Sequence, residues 1–241
     1  MNKLIKNINK ASIFTNVISN IIIIVMIFAL YVACVPTNFT AVFKPIYRVD
    51  TQDNSVAIMI NVYEGAEQVE EMMAIMERYS ATCTFFVGGI WASKNPQTLK
   101  KMAERAEIGN HGYLHRDHAK LNEKQNRDEI LLCEKQVEEL TGIKTNLFAP
   151  PSGSIGDTML KVCENLDYKV IMWSKDTIDW RDKDYQLILK RATSDVKSGD
   201  MILMHPTEQT VKALPLILDC YKNKKLKTVT VSELLYGDKA Y

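Results

Sequence analysis

From Ser55 onward, short runs of β-branched and aromatic residues alternate with longer stretches whose apolar positions recur at helical spacing. The runs predict seven strands: Val56–Asn61, Thr82–Val87, Glu107–Asn110, Asn146–Ala149, Lys169–Trp173, Met201–His205 and Thr228–Val231. The longer stretches predict helices over Ala66–Tyr79, Pro96–Ala106, Glu123–Leu140, Gly156–Leu166, Asp184–Lys197 and Glu208–Tyr221. In the first of these, Val69, Met72, Met73 and Met76 share a face opposite Glu67, Glu71 and Arg78, as in a helix that covers a sheet. Asn95-Pro96 is a helix start with Pro in the first turn, and Thr141-Gly142 is a helix stop. Strands that alternate with helices pair in parallel through right-handed crossovers, so the α/β architecture is either doubly wound or a barrel.

The first 54 residues follow a different pattern. Residues 1–12 carry Lys3, Lys6 and Lys10, and residues 13–35 carry no charge and include the apolar run Ile21 to Leu30. About 20 apolar residues cross a bilayer as a helix, and flanking cations stay on the cytoplasmic side. The expectation is a single-pass anchor at the cell membrane, with the bulk of the chain extracytoplasmic. A cleaved signal segment is the alternative, and Tyr31-Val32-Ala33-Cys34 has some likeness to a lipoprotein cleavage site. Residues 36–54 read as a connector and 55–241 as the folded domain.

Thirty basic against twenty-nine acidic side chains leave a net charge of +1. No global field recruits nucleic acid, and an uncharged substrate suits the balance. Cys34, Cys83, Cys133, Cys163 and Cys220 are widely spaced and contain no CxxC, so they read as free thiols, not a zinc ribbon.

All four histidines fall at or just after the ends of predicted strands, which converge on the active site in a β/α barrel. His111 and His115, four apart in a turn, could share a divalent metal, although the spacing alone also fits two core or surface histidines. His118 lies beyond the pair. Asp176-Thr177-Ile178-Asp179-Trp180 could cap a turn or orient a catalytic histidine, and His205 could act as a general acid or sit hydrogen-bonded in the core.

Taken in order, these pieces resemble the polysaccharide deacetylase family, the NodB homology domain of carbohydrate esterase family four. The resemblance rests on Thr84-Phe85-Phe86-Val87-Gly88-Gly89, Glu107-Ile108-Gly109-Asn110-His111 with His115, Phe148-Ala149-Pro150-Pro151-Ser152-Gly153, Asp176 to Trp180, and Leu203-Met204-His205. It runs from about Val56 to Leu235 and is greatest to a branch of spore-forming Gram-positive bacteria tethered by one N-terminal helix. It implies a distorted (β/α) barrel of about seven parallel strands, preceded by one transmembrane helix. It also implies a divalent metal, zinc first and cobalt or manganese next, held by His111 and His115, with His205 as general acid. Asp176 would belong to the supporting charge network, and Pro151, Trp180 and Leu203 to the substrate cleft. The partner implied is an N-acetylated glycan polymer, peptidoglycan or chitin-like.

The first motif departs from the family. Where it has two aspartates, a base and a metal ligand, this chain reads Asn61-Val62-Tyr63-Glu64-Gly65. An amide accepts no proton at neutral pH, so Asn61 leaves the base role vacant. Glu64 or Glu67 could supply a replacement carboxylate, Glu64 falling at the metal position when the motif is aligned from Gly65. Ala149 stands where the family has an arginine, which leaves Asp176 without a partner and a candidate substitute base. Two functions follow as expectations: a metal-dependent hydrolase that removes N-acetyl groups from cell-wall polysaccharide, or a weak or inactive relative that binds envelope glycan or acts as a scaffold.

Overall fold

The computed structural model describes residues 16–30 and 43–237. The basic stretch 1–12, Cys34, both ends of the 13–35 segment and residues 36–42 lie outside the described residues. Residues 16–30 form helix α1, whose apolar side chains are exposed. Among the described residues no helix is long and apolar enough to cross a membrane.

Phe43–Tyr241 forms a separate compact unit. Its strands are β1 (Ser55–Val62), β2 (Thr84–Val87), β3 (Glu107–Asn110), β4 (Leu147–Phe148), β5 (Lys169–Val170), β6 (Lys175–Asp176), β7 (Met201–Met204) and β8 (Lys227–Val229). The sheet order is β5-β4-β3-β2-β1-β7-β6, and β8 adds to the N-terminal half of β1 beside β2. Every ladder is parallel. The helices are α2 (Ala66–Arg78), α3 (Gly89–Lys94), α4 (Pro96–Ala103), α5 (Glu123–Thr141), α6 (Asp157–Asn165), α7 (Tyr185–Thr193), α8 (Glu208–Asn223) and α9 (Val231–Tyr236).

The expected barrel of about seven strands is therefore a distorted, partly open one of eight. The extra strand, β6, is two residues long, too short to show a period. It lies where a loop is expected. Val231, expected to end the last strand, instead begins α9, because Thr230 caps that helix reciprocally with Glu233. The helix stop at Gly142 and the start at Pro96 hold: Gly142 takes φ 76° and Pro96 occupies the first turn of α4.

β1 is buried along its whole length, and its alternation divides the core. Val56, Ile58, Ile60 and Val62 face a layer that includes Val69 and Met72 of α2 and Leu214 and Ile217 of α8. Ala57 and Met59 face the interior with Phe86, Met201 and Leu203. Cys83, Cys133 and Cys163 are buried free thiols and Cys220 is half-buried. Burial pushes the Cys133 and Cys163 thiols up to about 12.

Part of the expected connector belongs to the domain. Ile46 bridges in parallel to Ile171, just past β5, and Arg48 bridges antiparallel to Asp200, just before β7. This strap lies across the gap between the two sides of the open sheet. Its Val49 N–H donates to Gly199 O at 2.9 Å. Gly199 has φ +83°, and a Cβ there would stand 1.8 Å from the Val49 carbonyl oxygen. We expect Gly199→Ala to cost about 2 kcal/mol or more, through backbone strain and displacement of the strap, read as a lower urea midpoint with unchanged m-value.

Candidate active-site cavity

A cavity of about 280 Å³ opens where the strands end. Its walls are Asn61, Tyr63, His111, His115, Ser152, Trp173, Asp176, Trp180, Leu203 and His205. The sheet's parallel direction brings these residues together from the ends of β1, β3, β6 and β7 and from the turn after β4. Asn61, the last inward residue of β1, is 2% exposed, and its Oδ1 has no hydrogen-bond partner among the described residues. Tyr63 follows at the next inward position.

The histidines have distinct partners. His111 Nδ1–H donates to Ala149 O at 2.7 Å, which leaves Nε2 as the available nitrogen. Its pKa lies well below the usual imidazole value, chiefly because it is buried and secondly because His115 is close. The two rings are 5.1 Å apart, and Tyr63 lies over His115 at 4.1 Å between centroids. Burial raises the Tyr63 phenol, with Glu64 and Asp179 adding to the effect, so it stays protonated near neutral pH. His205 Nδ1–H donates to Asp179 Oδ1 at 2.7 Å, while His205 N–H (2.7 Å) and the Thr210 hydroxyl (2.6 Å) hold Asp179 Oδ2.

Several expected roles move. Asp179, 4% exposed, orients His205, so it takes the supporting role expected of Asp176. Asp176 lines the cavity and caps its own turn, its Oδ1 accepting from Ile178 N–H at 2.8 Å. Val62 cannot stand in for a metal-binding aspartate, because strand alternation turns it into the helix-facing core. Glu64 is exposed and outside the cavity wall, near enough for its charge to act on His115. Glu67 lies on α2 beside Glu70 and Glu71 along a surface groove, away from the cavity. Pro151 is buried and its neighbour Ser152 lines the cavity instead, with φ 55°. Trp180 and Leu203 line the cavity as expected. Tyr63, Ser152 and Trp173 went unread as site residues, although alternation from Asn61 points to Tyr63.

The metal expectation can be tested on the donors present. His111 offers Nε2 and His115 lies beside it, yet among the described residues no group of three His, Cys, Asp or Glu side chains could hold an ion. Catalytic zinc sites commonly use three protein ligands, and here only the two histidines stand together. The residues present do not fit a three-ligand metal site. What the cavity does hold is a histidine oriented by a buried carboxylate, with an amide, not a carboxylate, at Asn61.

His118 stands behind this loop, fully buried, its Nδ1 paired with Asn126 Oδ1 at 2.7 Å.

Histidines gathered at the strand ends of a parallel β/α barrel stand where such folds carry their chemistry. Residues 48–171 match the family model for polysaccharide deacetylase. The chain is 30% identical over 196 residues to a peptidoglycan-N-acetylglucosamine deacetylase of Bacillus cereus, covering 78% of this chain and 92% of that protein. It is 36% identical over 193 residues to protein YlxY of Bacillus subtilis, covering 80% of this chain but only 60% of that protein. Among solved structures, BA3943 of Bacillus anthracis, a pseudoenzyme of carbohydrate esterase family four, superposes with TM-score 0.78 at 32% identity, over 81% of this chain and 70% of that one. This chain belongs to the polysaccharide deacetylase family.

Burial lowers the His118 pKa to about 4. An unfolded histidine titrates near about 6.5, so between those values the unfolded chain binds the extra proton. The His118 contribution should therefore lower stability by up to about 3 kcal/mol as pH drops from about 6.5 toward 4, and change nothing between about 6.5 and 8. Denaturant melts across pH check this, and His118→Gln should remove much of the slope, with His111 and His115, both lowered chiefly by burial, supplying the rest.

Proposed function

We propose that the cavity binds an N-acetylated sugar of cell-wall glycan, and that the domain is a deacetylase-type hydrolase reduced to its acid half, with slow turnover. Asn61 Oδ1 carries this reading. A buried, unpaired carbonyl oxygen costs about 1–3 kcal/mol, and an acetamide N–H or a sugar hydroxyl would satisfy it. Trp180, 57% exposed, and Tyr63 supply aromatic faces for a sugar ring. The cavity's size lies near the lower end of the about 300–1,000 Å³ common for small-molecule sites, which suits one sugar residue.

In the hydrolysis of an N-acetyl group, His205 would protonate the departing amine while Asp179 holds its ring and stabilises the imidazolium. Neither Asn61 nor the protonated Tyr63 takes a proton from water, and that loss slows the reaction. His111 and His115 alone do not make a three-ligand ion site, so the acid role rests on the protein's own side chains. Retention of the His205–Asp179–Thr210 arrangement favours residual catalysis over a pure scaffold.

The test is acetate release from N-acetylated peptidoglycan and from a tetramer of N-acetylglucosamine by the full chain in detergent, beside binding of the tetramer. We expect binding, with release about 10²–10⁴-fold below the Bacillus cereus relative, and its loss in His205→Ala. Trp180→Ala should weaken binding about threefold to tenfold. Failure to bind would overturn the reading, and binding with no release at any metal concentration would leave a glycan-binding protein.

We also propose that the chain acts at the outer face of the cell membrane, anchored through residues 13–35. The uncharged run and the preceding Lys3, Lys6 and Lys10 support this. Fractionation should place the protein in membranes, with the domain open to added protease in spheroplasts; a soluble protein inside the cell would contradict it.

A further inference from the structure

The turn between the two cavity histidines has each of its backbone donors occupied. His111 N–H donates to Val87 O at 3.0 Å and Gly112 N–H to Asn110 Oδ1 at 2.9 Å. Tyr113 N–H and Leu114 N–H both donate to one atom, Glu129 Oε2, at 2.9 and 2.8 Å. On the other side, Gly112 O and Tyr113 O accept from Gly89 and Ile90 N–H at 2.9 and 3.0 Å. The turn bends at Gly112, φ +74°, and ends at His115, a non-glycine residue with φ 54°.

Glu129 comes from α5, is 4% exposed, and has no ion-pair partner among the described residues. A long polar side chain is rarely buried without a counter-charge, and losing a donor or acceptor in such a place is expensive. Consecutive backbone N–H groups that converge on one oxygen form a compact nest of donors for it. Here the nest is the turn itself. His118 Nε2 and Glu129 Oε2 both crowd Gly112, at 3.1 and 3.4 Å from where a Cβ would stand, so the turn is packed from behind as well as hydrogen-bonded.

We propose that Glu129 is a positioning residue: its Oε2 clamps Tyr113 and Leu114 and thereby sets where the His115 imidazole stands against His111 and Tyr63. This rests on the reading that the cavity is the working site. Glu129 touches no ligand and acts through the turn. The clamp opposes the strain at His115, whose left-handed φ of 54° persists only where surrounding structure enforces it.

The test uses the full chain and two substitutions, Glu129→Gln and Glu129→Leu, followed by histidine side-chain ¹H–¹⁵N NMR, amide hydrogen exchange and binding of the N-acetylglucosamine tetramer. Glu129→Gln keeps an acceptor oxygen in place and should retain native His111 and His115 signals and affinity. Glu129→Leu removes it and should shift or broaden the His115 signal, raise exchange at Tyr113 and Leu114 at least a hundredfold, and weaken binding at least tenfold. The His205 signal, held by Asp179, should stay put in both. Native His115 signals in Glu129→Leu would overturn the proposal, as would a Glu129→Gln variant that behaves like Glu129→Leu. If Glu129→Leu does not fold, Glu129→Asp, which withdraws the oxygen by one methylene, should show the same His115 shift, and native signals there would overturn it. If the native chain binds no glycan while these signals respond as stated, the proposed function falls and the clamp stands.

Discussion

The structure depends on the strict alternation of one buried strand. β1 has neighbours along both edges and cover on both faces, so each of its residues is committed either to the helix-facing layer or to the interior. Val56, Ile58, Ile60 and Val62 build the layer beneath α2 and α8. Ala57, Met59 and Asn61 build the interior, and Tyr63 extends that face into the cavity. A slip of one residue would bury Tyr63 among methionines and turn Val62 into the site.

That constraint shapes the chemistry. A carboxylate base would have to stand on the inward face at the end of β1, and the two inward residues there are an amide and a phenol. Neither accepts a proton from water near neutral pH. The His205–Asp179 pair is built elsewhere, from β7 and the turn after β6: Asp179 accepts from the His205 amide and the Thr210 hydroxyl as well as from the imidazole. The end of β1 and the His205–Asp179 pair come from different strands, so the residues at one can differ without unfolding the other. A family resemblance to peptidoglycan deacetylases and a fold likeness to a pseudoenzyme are compatible for the same reason.

The same separation appears in how the polar groups behind the cavity are satisfied. Asn110 donates to Ile130 O and accepts from Gly112 N–H, His118 pairs with Asn126, and Glu129 takes two amides of the histidine turn. All but the Gly112–Asn110 bond use α5, which crosses behind β3 with a capping box at Asn122 and a left-handed stop at Gly142. Buried polar groups confined to one helix and one turn are costly unless each finds its partner, and together they hold the turn in one conformation.

Much of this was legible along the chain. Period-two and period-3.6 patterns located the long elements, Pro96 and Gly142 marked helix ends, and the position of every histidine near a strand end pointed to one site, because these signals are local. The two-residue β6 and the six-residue α3 and α9 were not legible, since elements that short are formed by their neighbours' hydrogen bonds and not by their own pattern. Which acid holds His205 was likewise undecided in the sequence: Asp176 and Asp179 are three apart on one turn, and only the packing of that turn against Thr210 aims Asp179 inward. The spacing of His111 and His115 suggested a metal, but whether a third donor joins them depends on the direction in which Glu64 and Glu67 leave β1 and α2. Side-chain direction across a chain reversal is set by tertiary contacts, and these send both glutamates away from the cavity and bring Tyr63 in.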